Sequence, residues 1–137
     1  MIQLAYVSST KGLLTVDAIE KILVVSREKN RKLGITGMLL YKGGNVLQVL
    51  EGEREEVVAL FEVIRKDERH GAIIKLYQTN IKERDFPEWT MGFHELNAES
   101  ARRLEGFSEF LDPGSDMLAI NPSAAAKLLN CFKSGIR

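Results

Sequence analysis

The sequence predicts an α+β fold: one sheet, two helices packed on one of its faces, and a helical segment at the C-terminal end. Three observations predict it. Short runs rich in Val, Ile, Leu and Tyr read as strands, two apolar stripes at helical spacing interrupt them, and Gly or Pro marks the breaks between units.

Residues 2–8 form the first expected strand, Ile2-Gln3-Leu4-Ala5-Tyr6-Val7-Ser8. A turn at Lys11-Gly12 leads to a helix capped by Thr15. Asp17 lies in its first turn, where a carboxylate meets the positive end of the helix dipole. Val16, Ile19, Ile22, Leu23 and Val25 carry that helix to about Arg31, and Gly34 breaks it. Ile35 to Tyr41 and Val46 to Leu50 are two apolar strands joined by Lys42-Gly43-Gly44-Asn45, whose paired glycines signal a tight hairpin. The second helix starts near Glu53 and carries Val57, Leu60, Phe61 and Ile64 at helical spacing. It ends in the basic Arg65-Lys66, followed by Arg69-His70-Gly71. Ile73 to Ile81 reads as a fourth strand and Trp89 to Leu96, beyond Pro87, as a fifth.

The order β-α-β-β-α-β-β is that of a ferredoxin-like sandwich over residues 1–96. Two additional helices follow. Asn97 or Ser100 starts one that runs to about Leu111, and Asn121-Pro122 opens another with Leu128, Leu129 and Phe132. Residues 97–137 are expected as an extension of the domain, too short to be a domain of their own.

Composition narrows the function classes. Nineteen Lys and Arg balance nineteen Asp and Glu, so no net field recommends nucleic acid or an anionic membrane. The apolar runs are too short for a transmembrane helix, and the N-terminus has no charged region followed by an apolar one, so no signal peptide is expected. Cys131 is the single cysteine and cannot form an intrachain disulfide or a metal site by itself, which makes a reducing, cytoplasmic setting the default. The chain has no G-x-S-x-G, no P-loop and no G-x-G-x-x-G after the first strand, and His70 and His94 lack an evident acid/base partner. Turnover chemistry is not expected.

Three polar side chains are placed by periodicity against the core. Tyr6 shares a strand face with Ile2 and Leu4, Asn30 closes a helical stripe with Ile19, Leu23 and Ser26, and Gln48 alternates with Val46 and Leu50. A buried polar atom without a partner costs about 1–3 kcal/mol. Three such residues converging on one inner face imply a polar guest, and a planar ligand fits. Taken singly, each has an ordinary structural explanation: a core tyrosine, an edge-strand glutamine, an asparagine near a helix C-terminus.

Five motifs in order connect these residues to a known family. Leu4-Ala5-Tyr6-Val7-Ser8-Ser9, Asn30 followed by Gly34-Ile35-Thr36-Gly37-Met38-Leu39-Leu40-Tyr41, and Leu47-Gln48-Val49-Leu50-Glu51-Gly52 are three of them. The others are Lys66-Asp67-Glu68-Arg69-His70 and Phe86-Pro87-Glu88-Trp89-Thr90-Met91. Together they resemble the BLUF domain, a blue-light sensor that uses FAD, over residues 1 to about 96. The resemblance implies that Tyr6 hydrogen-bonds Gln48, which in turn touches the flavin ring, and that Asn30 binds the ring's polar edge. It implies that Trp89 and Met91 border the glutamine, that Ser26 and His70 belong to the flavin site, and that Arg69 lies near the ribose or phosphate end. FAD is the implied cofactor, with FMN or riboflavin as possible substitutes. Val46-Leu47 departs from the aromatic residues common in relatives and should change packing beneath the ring more than the photochemistry.

The residue types suit that chemistry. A phenol with an unperturbed pKa of about 10 is protonated at neutral pH and can give an electron and a proton to an excited flavin. A glutamine offers donors at one end and an acceptor at the other, so rotation or tautomerisation exchanges what it presents without breaking a covalent bond. The leading expectation is therefore a photoreceptor that signals through a rearranged Tyr-Gln-flavin network. A flavin-dependent oxidoreductase and a ferredoxin-like interaction module without cofactor are the alternatives. Output is expected in trans, through a homo-oligomer or an unidentified protein partner, and Leu104, Phe107, Phe110 and Leu111 offer an apolar stripe for it.

Overall fold

The computed structural model describes residues 1–10, 15–42, 44–87 and 90–95. The expected Lys11-Gly12 turn, Trp89 and the helical extension at 97–137 lie outside the described residues. The elements run β1 (Ile2–Thr10), α1 (Val16–Leu33), β2 (Thr36–Lys42), β3 (Asn45–Gly52), α2 (Arg54–Arg65), β4 (His70–Asn80) and β5 (Gly92–Glu95). They build one five-stranded sheet in the order β4-β1-β3-β2-β5. The first four strands pair antiparallel, and β5 joins β2 in parallel. This is the expected ferredoxin-like arrangement with one strand added at the margin.

Both helices start and stop for local reasons. The Thr15 hydroxyl accepts from the Ala18 N–H, and Asp17 lies in the first turn of α1. At the other end Gly34 takes φ 68°, its N–H reaches Arg31 O and the Ile35 N–H reaches Asn30 O at 2.9 Å. That paired closure turns the chain straight into β2. Ile19 and Leu23 of α1, with Val57, Leu60 and Phe61 of α2, pack on Ile2, Leu4, Leu50 and Tyr41 of the sheet. Val25, expected on the buried stripe, is instead 67% exposed.

Strand boundaries differ from the sequence reading in two places. Pairing of β4 with β1 begins at His70, three residues before Ile73, because Thr10 and Ser9 continue the ladder opposite His70 and Gly71. The ladder of β5 begins at Gly92, so Met91 precedes it. The hairpin is as expected, with Lys42 paired to Asn45.

Strands β2 and β3 approach unusually closely at Gly37, where an added Cβ would lie 1.9 Å from Val49 O. A methyl at Gly34 meets nothing, so only its left-handed backbone resists substitution. Gly34→Ala should therefore cost about 1–2 kcal/mol, whereas Gly37→Ala must push two backbones apart and should cost more, about 3 kcal/mol or above. Urea unfolding of the two variants checks the order, and equal losses would contradict it.

Candidate functional site

The register of β1 with β3 sets Tyr6 directly opposite Gln48, both on the helix-facing side of the sheet. The Tyr6 hydroxyl donates to Gln48 Oε1. Gln48 Nε2 in turn points to Met91 Sδ at 3.4 Å. A thioether is a weak acceptor, so the carboxamide, with two donor hydrogens, is poorly used by the protein alone. The Tyr6 ring is held on its sides by Phe61, at 5.4 Å between centroids, and edge-on by His70 at 6.4 Å.

Tyr6, Gln48, His70 and Met91 form part of the wall of a cavity of about 200 Å³ between α1 and α2. Leu39, Val46, Leu60 and Ile64 supply apolar wall, while Ser26, Asn30, Asp67, Arg69 and His70 add polar groups. The exposed Val25 and Val63 also line it. An apolar slot with amides at its inner end suits a flat heterocycle whose edge carries donors and acceptors. The residues present therefore fit a flavin ring, with Gln48 and Asn30 the amides available to it.

Burial pushes the Tyr6 phenol above its ordinary range, and the negative charge of Asp67 adds to that. Tyr6 is thus a neutral hydrogen donor throughout the physiological range. Asp67 itself is held down to about 2, chiefly by the hydrogen bond from the Arg69 side chain, with the Arg69 N–H and the charges of Arg69 and His70 contributing.

The structure brings together most of the expected site and leaves one member out of view. Tyr6, Gln48 and Met91 are in contact, and Ser26, Asn30, Arg69 and His70 line the same cavity. Trp89 lies outside the described residues. Asn30 has a further task, because its Nδ2 donates to Thr90 O at 2.7 Å. Arg69 is paired with Asp67. His70 staples two elements: Nε2–H donates to Ile64 O at 2.7 Å, and Nδ1 lies 2.9 Å from Ser8 Oγ.

Two contributors were not singled out by sequence reasoning. Asp67 sits inside a quoted motif, but nothing in a charge cluster tells which member faces a cavity. Arg27 donates from Nε to Met91 O at 3.0 Å, and its partner is a main-chain carbonyl 64 residues away, which periodicity cannot reveal. Among the described residues no helix is long and apolar enough to cross a membrane, and no His/Cys/Asp/Glu cluster could hold a metal.

A family profile described as "Sensors of blue-light using FAD" matches residues 1–92. The chain belongs to the BLUF family. Sequences similar to it include the photoactivated adenylate cyclase subunit beta of Euglena longa, 37% identical over 90 residues, which are 64% of this chain and 10% of that protein. A solved dark-state BLUF protein, BlrB, is 30% identical with a TM-score of 0.71 over 98% of this chain and 96% of its own. A bacterial light-regulated adenylyl cyclase is 31% identical with a TM-score of 0.70, and this chain covers 40% of it. The chain spans about a tenth of the length of the Euglena relatives it matches. As a BLUF domain it is a flavin-based blue-light sensor module, and the cyclase activity named in two of these relatives is theirs.

The raised phenol makes a test in alkali. The unfolded chain releases the Tyr6 proton near pH 10.0, while the folded chain still holds it. Stability contributed this way is fully present below about pH 10 and is lost as pH rises further. Ultraviolet titration should find two phenols of the wild type, Tyr6 and Tyr77, ionising late, and Tyr6→Phe should remove one of them. Ionisation of every tyrosine near pH 10.0 in the folded state would contradict the burial argument.

Proposed function

We propose that Tyr6 and Gln48 are the photoactive pair, that Met91 reads their state, and that the signal passes to another protein. The observation that carries this is the continuous line from the Tyr6 hydroxyl through the Gln48 carboxamide to the Met91 sulfur at the cavity wall. A bound flavin supplies absorption of blue light and a strongly oxidising excited state. The chain supplies everything that changes shape. Tyr6 holds a transferable proton at its hydroxyl, aimed at Gln48 Oε1. Half a turn of the carboxamide would set Nε2 against the Tyr6 oxygen and Oε1 against Met91 Sδ. An oxygen facing sulfur has no hydrogen to share, so Met91 must shift. Met91 immediately precedes β5, which places that shift at the margin of the sheet.

FAD is the proposed flavin, with FMN or riboflavin as substitutes, because Asn30 and Gln48 would hold the ring that all three share. Residues 1–96 would take flavin and light, and residues 97–137 would carry the state outward to a second copy or a separate cytoplasmic protein. Similarity to BlrB over 96% of that chain supports the sensor reading.

A light-minus-dark absorption spectrum tests the central reading. The wild type should show a small, reversible red shift without bleaching, and the released chromophore should be a flavin. Gln48→Leu should keep the flavin and lose the shift, because the leucine keeps volume but removes donor and acceptor. Tyr6→Phe should do the same at a cost of about 1 kcal/mol in stability, whereas Asn30→Ala should weaken flavin retention. A full red shift in Tyr6→Phe or Gln48→Leu would overturn the relay.

A further inference from the structure

On the face of the sheet away from the cavity lies a second polar cluster. Gln3 pairs with Glu51 across β1 and β3 as Tyr6 pairs with Gln48, three residues along each strand and therefore on the opposite side. Glu51 is fully buried. Its carboxylate accepts from Gln3 Nε2 at 3.1 Å, the Thr36 hydroxyl at 3.0 Å, the Asp85 N–H at 3.0 Å and the Phe86 N–H at 2.7 Å. We propose that Glu51 is a positioning residue of the switch, fixing the backbone at Asp85 and Phe86 so that Met91 stands against Gln48.

A buried carboxylate is a poor way to gain stability, since well-packed apolar residues usually do as well or better. What it offers is four acceptor sites in a fixed plane, two of them used on successive backbone N–H groups. The same segment is tied down around them. Gln3 Nε2 also donates to Asp85 Oδ2 at 2.7 Å, and Tyr77 holds Gln3 from its other end at 2.6 Å. Arg84 donates to the Thr36 hydroxyl at 2.8 Å and to Gly34 O at 2.7 Å. Met91 is the fifth residue after Phe86, a reach of at most about 18 Å. Within that span α1 takes hold again, through Asn30 on Thr90 O and Arg27 on Met91 O. Asp85 and Phe86 are thus held from below by Glu51, and Thr90 and Met91 from above by α1. Glu51 and Gln48 share β3, so one strand supports both the switch and the anchor of its reader.

This inference rests on the light-switch reading above. Glu51→Gln keeps shape but replaces one carboxylate oxygen by a donor, which must then face at least one backbone N–H. In the flavin-loaded protein it should change the dark-recovery rate by about fivefold or more and move the Met91 methyl resonance in the dark, assigned with Met91→Leu. Val57→Ala, which opens the core under α2, serves as a control matched in melting temperature and should alter neither. Arg84→Met, at the partly exposed end of the cluster, should act in the same direction as Glu51→Gln and decides the matter if that variant does not fold. Loss of melting temperature with an unchanged recovery rate and an unmoved Met91 resonance would overturn the proposal. Absence of any red shift in the wild type would instead overturn the switch itself.

Discussion

Everything at the site hangs on the antiparallel register of β1 against β3, which sets Tyr6 beside Gln48 and Gln3 beside Glu51. Because side chains alternate across a strand, slipping that register by one residue would turn each of these groups to the wrong face. The hydrophobic residues guard against the slip. Ile2 and Leu4 on one strand and Val46 and Leu50 on the other belong to the core under the helices, and Ala5, Leu47 and Val49 are buried too. With both faces of the central strands buried, the register is specified twice. The polar pairs are then positioned by apolar packing that has no chemistry of its own.

Polar groups buried in such a frame are held to strict accounts. Each must find a partner, and in a low-dielectric interior each bond formed or lost counts for more than it would in water. Glu51 meets that demand with four donors. Gln48 meets it incompletely, with a phenol on one side and a thioether on the other. The contrast separates a cluster beneath the sheet whose carboxylate meets four donors from an under-satisfied one above it.

Much of this was legible in the sequence. Tyr6, Asn30 and Gln48 lay on computable faces, and the order of elements followed from Gly and Pro punctuation and from two helical stripes. The early start of β4 was hidden because Gly71 reads as a break, while the ladder opposite Ser9 and Thr10 is a tertiary fact. Val25 continues an apolar stripe but borders a cavity, a distinction that periodicity cannot make. Glu51 sat inside a quoted motif without a role, since its backbone partners lie 34 and 35 residues onward. The contacts of Arg27 and Asn30 with main-chain carbonyls were equally invisible, because any residue can supply a carbonyl.

The strand that follows Met91 lies at one edge of the sheet among the described residues. A margin laddered to β2 alone among the described residues opens at a lower free energy than the centre of the sheet. A detector built this way responds to a small push, the turning of one carboxamide. By the same reasoning it is a noisy detector, since thermal agitation alone opens the margin from time to time. The hold of β2 on that strand therefore sets a trade between sensitivity and false alarms in the dark, and strengthening it would lower both.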